Sequence, residues 1–320
     1  MVLSVPGMTL TLPAAVFQDA AACAYTSLTR DGRPVSWPVT PYPGPDGTID
    51  VSTGLAYPDK AERARRDPRV ALLFEGDPVV LVQGRAAVRD ADLQANTDRY
   101  VRESAAKFPD ALAGAPWFVL KRCAWYFARI YVEVEPERIT WWPGGDLSRA
   151  PEVWTGPPGT AAPVSDPAPS GGRLPGRSAP PADWRPYADR ALGLGRPLVS
   201  LTGDGLPVTV PARAFTRTAT GYDLTLPAGI AAASGPVCLT FDRHDPDLKW
   251  QENVVLLGRA AARGGDLLSV TVERALPDWS LPEHPLKRMV SLLTHGRQLR
   301  HRIRAEAARR GQPVPEVRRL

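Results

Sequence analysis

Residues 52–70, STGLAYPDKAERARRDPRV, gather the side-chain types that hold phosphate groups. Pro58 suits the first turn of a helix, and Lys60 follows it closely. A cation in a first turn opposes the helix macrodipole. The first amides of a helix also lack intrahelical partners. An anion at that end would satisfy the amides and pair with Lys60. Arg63 lies three residues on, roughly on the same face. Ser52 and Thr53 end the preceding strand-like stretch and offer hydroxyls. Ser52, Thr53, Lys60 and Arg63 are therefore a candidate phosphate site. The same run also reads as a solvated charged helix, in which Glu62 and Arg66 form a surface pair four residues apart.

Other chemistries find little support. There is no GxSxG, no Walker loop and no GxGxxG. Ser, His and Asp show no nucleophile signature. All four histidines (His244, His284, His295, His301) lie in the second half, and none pairs with another His or Cys at metal-ligand spacing. Cys23, Cys123 and Cys238 lie far apart without a CxxC pair. They read as small buried apolar residues in a reducing compartment.

The elements that must carry Lys60 come from a chain of 320 residues, a length that suggests about two domains. Residues 151–183 hold nine Pro and five Gly and read as an extended or disordered linker. The parts on either side, 1–150 and 184–320, resemble each other. SLTRDGRPVSWPV at 27–39 matches SLTGDGLPVTVPA at 200–212. VALLFEG at 70–76 matches VCLTFDR at 237–243, and VLVQGRAAV at 80–88 matches VLLGRAAA at 255–262. Three matches in one order point to a duplicated domain.

The first half reads as a short helix near Pro13, then strands at 22–29 and 34–42 joined by an Asp31-Gly32 turn. A second turn at Asp46-Gly47 leads into 48–53. A helix then runs from Pro58 to about Asp67. Strands near 69–75 and 79–89 precede a helix over 91–106. A long strand is expected at 124–134, with Tyr126, Ala128, Ile130, Val132 and Val134 on one face. Many close strands with few helices indicate a barrel. The expected fold class is mainly β with peripheral helices (α+β), as two tandem barrels, the second degenerate. In that second half PAGIAAASG, without Lys or Arg, replaces the phosphate helix.

The net charge of +5 is concentrated in one place. Residues 297–320 carry eight Arg against Glu306 and Glu316, so the body gives no reason to expect nucleic acid. Residues 284–310 read as a helix with a narrow apolar stripe of Leu292, Gly296, Leu299 and Ile303. Leu286, Met289, Val290 and Leu293 continue the stripe, and a basic face lies opposite. No run is long and apolar enough to span a membrane, and residues 1–17 lack the features of a signal peptide. A cytoplasmic location is expected.

The ordered set of a DG-x-P hairpin, a strand ending in Ser-Thr, Lys60 and RDPRV resembles the pyridoxamine 5′-phosphate oxidase-like flavin-binding split barrels. It is most similar to the branch that includes flavin- and deazaflavin-dependent reductases. The resemblance covers about residues 14–145 and, more weakly, 186–276. It implies a cofactor phosphate on Lys60, helped by Ser52, Thr53 and Arg63. It also implies a flavin ring along Trp37, Val39 and Thr40, with Gln83 and Arg85 nearby. The expected cofactor is FMN or a deazaflavin coenzyme, and less readily haem on His295 or His301. The expected partner is a small-molecule substrate. Trp37 and Tyr42 stand where the pyridoxamine oxidase uses Arg and Lys, which argues against pyridoxamine phosphate. The two barrels are expected to form an internal pseudo-dimer with one cofactor, and two chains could pair further. The alternative is a non-catalytic flavin- or haem-binding protein.

Overall fold

The computed structural model describes residues 4–5, 8–9, 15–109, 120–157, 163–171, 183–202, 205–276 and 280–318. A two-residue hairpin, β1 (Ser4–Val5) and β2 (Met8–Thr9), precedes helix α1 (Ala15–Asp19). Seven strands follow: β3 (Cys23–Leu28), β4 (Pro34–Val39), β5 (Pro41–Pro43), β6 (Ile49–Gly54), β7 (Arg69–Phe74), β8 (Val79–Arg89) and β9 (Arg129–Trp142). They form one antiparallel sheet in the order β4-β3-β7-β8-β9-β6-β5, and β10 (Glu152–Thr155) pairs with β9. Helix α2 (Asp59–Arg66) joins β6 to β7, and α3 (Leu93–Lys107) lies between β8 and β9.

The second half repeats this topology. Its strands are β11 (Leu198–Thr202), β12 (Pro207–Pro211), β13 (Ala214–Arg217), β14 (Gly221–Thr225), β15 (Gly235–His244), β16 (Gln251–Gly264) and β17 (Leu267–Ala275). Their order is β12-β11-β15-β16-β17-β14-β13, the first sheet strand for strand, and β18 (Ser280–Leu281) adds to β16. The duplication seen in the sequence is thus a duplication of fold. Two curled antiparallel sheets make a tandem two-barrel α+β structure.

Local chemistry explains the shared anchors. Gly32 adopts φ 74° in the β3–β4 turn, where Thr29 and Arg33 close the hairpin. The repeated Gly-Arg-Ala-Ala marks a bulge. The pairing register slips at Gly84 between β8 and β9, and at Gly258 between β16 and β17. A Cβ on Gly84 would stand 2.0 Å from the Glu135 carbonyl oxygen, and one on Gly258 2.2 Å from that of Thr271. Both positions therefore need glycine.

The halves differ in what joins their strands. Residues 226–234 contain no helix where the first half has α2. A two-glycine turn at 264–265 stands where the first half has α3. The second barrel is the stripped copy.

The barrels pack by reciprocal exchange. Strand β4 lies against β15 and β11, and its counterpart β12 lies against β7 and β3. One apolar cluster joins Ala24, Ala71, Leu73 and Leu81 to Val199, Val210, Leu239 and Leu256. Inside the joint, Thr26, Ser200 and Thr209 share a buried hydroxyl triangle, with Thr26 Oγ1 2.6 Å from Thr209 Oγ1. Such satisfaction makes buried hydroxyls tolerable.

The structure departs from the expectations in several places. The strand expected at 124–134 begins only at Arg129, because Ala124–Phe127 form one helical turn. Ile130, Val132 and Val134 do share the buried face, but Tyr126 and Ala128 precede the strand. Parts of the proline-rich stretch dock on the first sheet and its flanks. Residues 152–155 form β10, and Ser165 and Asp166 bind the backbone of Val88, Asp90 and Ala91. Residues 158–162 and 172–182 of that stretch lie outside the described residues. Val290, placed on the apolar stripe of the C-terminal helix, is exposed.

That helix, Pro285–Arg309, follows the second sheet in sequence but packs on the first. Leu299, Ile303 and Ala307 enter the first barrel's core. The side chains of Leu286, Met289, Leu292 and Leu293 lie outside the described residues. Gly296 lets the helix approach Trp125, since a Cβ there would meet the indole Nε1 at 2.8 Å. Beyond it, Arg309 and Arg310 reach Glu62, and Arg310 also pairs with buried Asp90 at 2.9 Å. Glu62 is therefore held by the C-terminus and not by Arg66, which donates to the Leu28 carbonyl. No helix among the described residues is long and apolar enough to cross a membrane.

Candidate functional site

Helix α2 starts where the first sheet meets the second. Thr53 Oγ1 donates to the Tyr57 carbonyl at 2.7 Å and fixes the turn that leads into it. Pro58 caps the helix, so Lys60 sits in its first turn. Ala61 and Ala64 are buried and pack the helix against the first barrel's core. This geometry aims Lys60 at β4, and its Nζ lies 5.9 Å from the Trp37 ring centre. Trp37 also packs against Cys238, Val255 and Leu257 of the second half. The lysine thus stands at the junction of the two barrels.

Lys60 is half-buried, and its pKa falls to about 7. Burial is the main cause, and the positive charges of Arg63 and Arg129 add to it. Among the described residues Lys60 has no ion pair. Arg63 Nε donates to Ser27 Oγ at 3.0 Å, which fixes the guanidinium beside the strand β3. Arg129 is held between Tyr100 and Tyr126, 4.3 and 4.9 Å from their ring centres, and donates to the Tyr100 hydroxyl at 3.0 Å. Its Nε is buried without a hydrogen-bond partner. Lys107 approaches the same end of the sheet. It donates to the Pro41 carbonyl at 2.7 Å, and burial lowers its pKa to about 8. Both lysines act on buried Cys23, whose thiol burial nonetheless pushes far up. That thiol is inert at neutral pH.

Lys60 thus sits in the field of two further cations, Arg63 and Arg129, an arrangement an anion would complete. A dianion would restore the Lys60 proton and be favoured by the neighbouring charges of Arg63 and Arg129. The donor set thus fits the phosphate of a flavin or deazaflavin.

The sequence-derived set divides in space. Lys60, Arg63 and Trp37 come together at the junction, with Thr53 shaping the turn before them. Ser52 lies half-buried on β6, opposite Tyr131. Val39 is buried in the first-barrel core, so its side chain packs the barrel wall. Thr40 lies at the break between β4 and β5. Arg85 is exposed and pairs with Glu137 at 2.6 Å. Gln83 is buried away from this group and donates to the Pro207 carbonyl at 2.9 Å. Ser27, Lys107 and Arg129 were not singled out from sequence. Arg129 carries no local signal, since it looks like any charged residue in a strand-like alternation.

The histidines offer little to haem. His244 is bonded to Asp242 at 2.8 Å, His301 is exposed, and the His295 side chain lies outside the described residues. No cluster of three or more His, Cys, Asp or Glu suits a metal among the described residues. Cys23 and Cys238 are buried, whereas Cys123 is only half-buried.

No protein-family model matches the chain, and no curated protein does. Solved structures do match. One is a Listeria innocua protein provisionally named as a pyridoxamine 5′-phosphate oxidase, with 20% identity and a TM-score of 0.29. The match covers 40% of this chain and 92% of that one. Another is a Clostridium acetobutylicum protein of the pyridoxinephosphate oxidase family, related to general stress protein 26. It has 10% identity, covers 44% of this chain and 89% of its own, and has a TM-score of 0.30. A third, named F420 reductase, has 12% identity, covers 39% and 93%, and has a TM-score of 0.31.

Proposed function

We propose that the first barrel holds the phosphate of FMN or a deazaflavin coenzyme at Lys60, and that the chain is an oxidoreductase acting on a small molecule. The observation that carries this reading is Lys60 itself. It is a half-buried lysine with its pKa brought to about 7, without an ion pair among the described residues and beside two arginines. Keeping a cation in such a place costs stability, and a bound dianion offsets that cost.

Each residue then has a task. Lys60 and Arg63 hold the phosphate, and Arg129 lends charge. Thr53 fixes the turn that aims Lys60. Trp37 offers an aromatic wall at the junction of the barrels. When bound, the flavin or deazaflavin supplies hydride or electron transfer to the substrate. The protein supplies position, field and exclusion of water. The missing helix at 226–234 leaves the second barrel without such a lysine, so one cofactor per chain follows. FMN and the deazaflavin share the phosphate chemistry that Lys60 reads.

The test is an absorbance titration of the full chain with each cofactor, for the native protein and for Lys60→Met. A shifted band at about one equivalent that Lys60→Met weakens is expected. A native protein that perturbs neither spectrum overturns the reading.

A further inference from the structure

The second half-site has not simply closed. A cleft of about 520 Å³ lies between the barrels where the missing helix would have been. Its floor belongs to the first barrel. Gln83 on β8 is paired directly opposite Arg138 on β9. Thr140, two residues on along β9, is paired with Val153 on β10. Its other walls come from the second barrel, from Leu206 and Val208 at the start of β12 and from Ile230 in the helix-free segment.

The matching place in the first half is filled. There Arg33, the sequence counterpart of Leu206, reaches across to Glu273 at 2.9 Å and to the Gly258 carbonyl at 3.3 Å. Helix α2 covers the same strands, with Arg63 on Ser27 and Arg66 on the Leu28 carbonyl. Two changes in the second half remove this filling. Leucine replaces the bridging arginine, and 226–234 replace the helix. The cleft that results is apolar over most of its wall, and its volume falls in the range of small-molecule sites.

One charge remains. Arg138 is the only charged residue among the described residues that line the cleft, and it has no ion pair among them. Its neighbour Glu137 is already taken by Arg85. Gln83 spends its amide N–H on the Pro207 carbonyl, which anchors the floor. Thr140 and Thr202 add hydroxyls at the wall. An apolar chamber with one free guanidinium at its edge selects for a particular chemistry. The ligand must present apolar surface to Val208 and Ile230 and a single anionic group to Arg138.

We infer that this cleft is a second ligand site, for a small apolar carboxylate or a similar monoanion, separate from the phosphate site at Lys60. The proposal does not depend on flavin binding, because it uses none of the Lys60 cluster. The duplication has divided the labour: one half-site keeps the cations for a dianion, and the other exchanged them for apolar walls and one arginine.

Two dyes of similar shape test it. 1-Anilinonaphthalene-8-sulfonate carries one negative charge, whereas N-phenyl-1-naphthylamine carries none. Fluorescence titration of the full chain should give one saturable site that prefers the charged dye. Arg138→Gln, at an exposed position, should weaken the charged dye about fivefold and leave the neutral one unchanged. Val208→Trp, which fills the chamber, should remove both. Lys60→Met should leave both dyes unchanged, so failure here and failure of the flavin reading are separable. The inference is overturned by the lack of a saturable site. Equal loss of both dyes in Arg138→Gln, an unchanged charged dye there, or binding that survives Val208→Trp overturns it equally.

Discussion

Replacing Lys60 by methionine should make the protein more stable at pH 6 while weakening its hold on phosphate. An ordinary lysine keeps its proton up to about pH 10.4. In the folded chain Lys60 gives it up near pH 7, because burial and the charges of Arg63 and Arg129 oppose it. The unfolded chain therefore binds more protons than the folded one between about pH 7 and 10. Over that window the Lys60 contribution makes stability rise with pH. At pH 6 the lysine is charged in both states, and the whole penalty is present. A fall from the ordinary value to about 7 corresponds to roughly 4–5 kcal/mol. The side chain is only half-buried, so solvent screening reduces this to about 1–3 kcal/mol. Methionine keeps the length and apolar stem of the side chain and removes the charge.

Urea denaturation of both proteins at pH 6 and pH 9.5, without phosphate, measures the effect. Other groups titrate in the same range, Lys107 among them, but they are common to both proteins and cancel in the comparison. Lys60→Met should be more stable than the native protein at pH 6, and the gap should shrink by pH 9.5. Inorganic phosphate should raise the stability of the native protein at pH 6 more than that of Lys60→Met. A Lys60→Met protein that is less stable at pH 6, or a gap independent of pH, refutes the reasoning. Either result would mean that Lys60 is an ordinary solvated or locally paired lysine.

Other consequences of the packing can be measured by the same denaturation. Gly84→Ala should cost more than about 2 kcal/mol, because its Cβ would stand 2.0 Å from the Glu135 carbonyl oxygen. Asp90→Ala should cost about 3 kcal/mol or more, since it strips a buried partner from Arg310 and from Arg65. Trp125 fluorescence in that variant should show whether the C-terminal helix loosens with it. Thr209→Val should cost about 1–2 kcal/mol by breaking the hydroxyl triangle with Thr26 and Ser200. Because the barrels share one apolar cluster, its unfolding should remain a single transition. Two separate transitions would show that the joint is weaker than its contacts imply.

Much of the fold was readable from local signals. The Asp31-Gly32 turn needs a positive φ, and Gly84 and Gly258 mark matched bulges, so the repeated motifs carry direct geometric meaning. Alternation misled at 124–128. Trp125 and Phe127 alternate as a strand would, yet a short aromatic run suits a helical turn equally well, and tertiary packing decides. The EVWT of β10 was hidden among prolines, because edge pairing with β9 depends on a distant strand. The stripe of Leu299 and Ile303 revealed a packing face but not which barrel it meets. At the candidate site, the proximity of Lys60 and Arg63 was legible because α2 is local. Arg129 was not, since it reaches Lys60 only through the pairing of β6 with β9. The cleft at Arg138 was equally hidden, being assembled from residues as distant in the chain as Gln83 and Ile230.

Equilibrium dialysis of the full native chain against FMN and against the deazaflavin coenzyme, with Lys60→Met alongside, tests the central claim most directly. The account predicts one equivalent of at least one cofactor per chain, with affinity lowered about tenfold or more in Lys60→Met. Two equivalents of similar affinity, or one equivalent held equally well without Lys60, would contradict it.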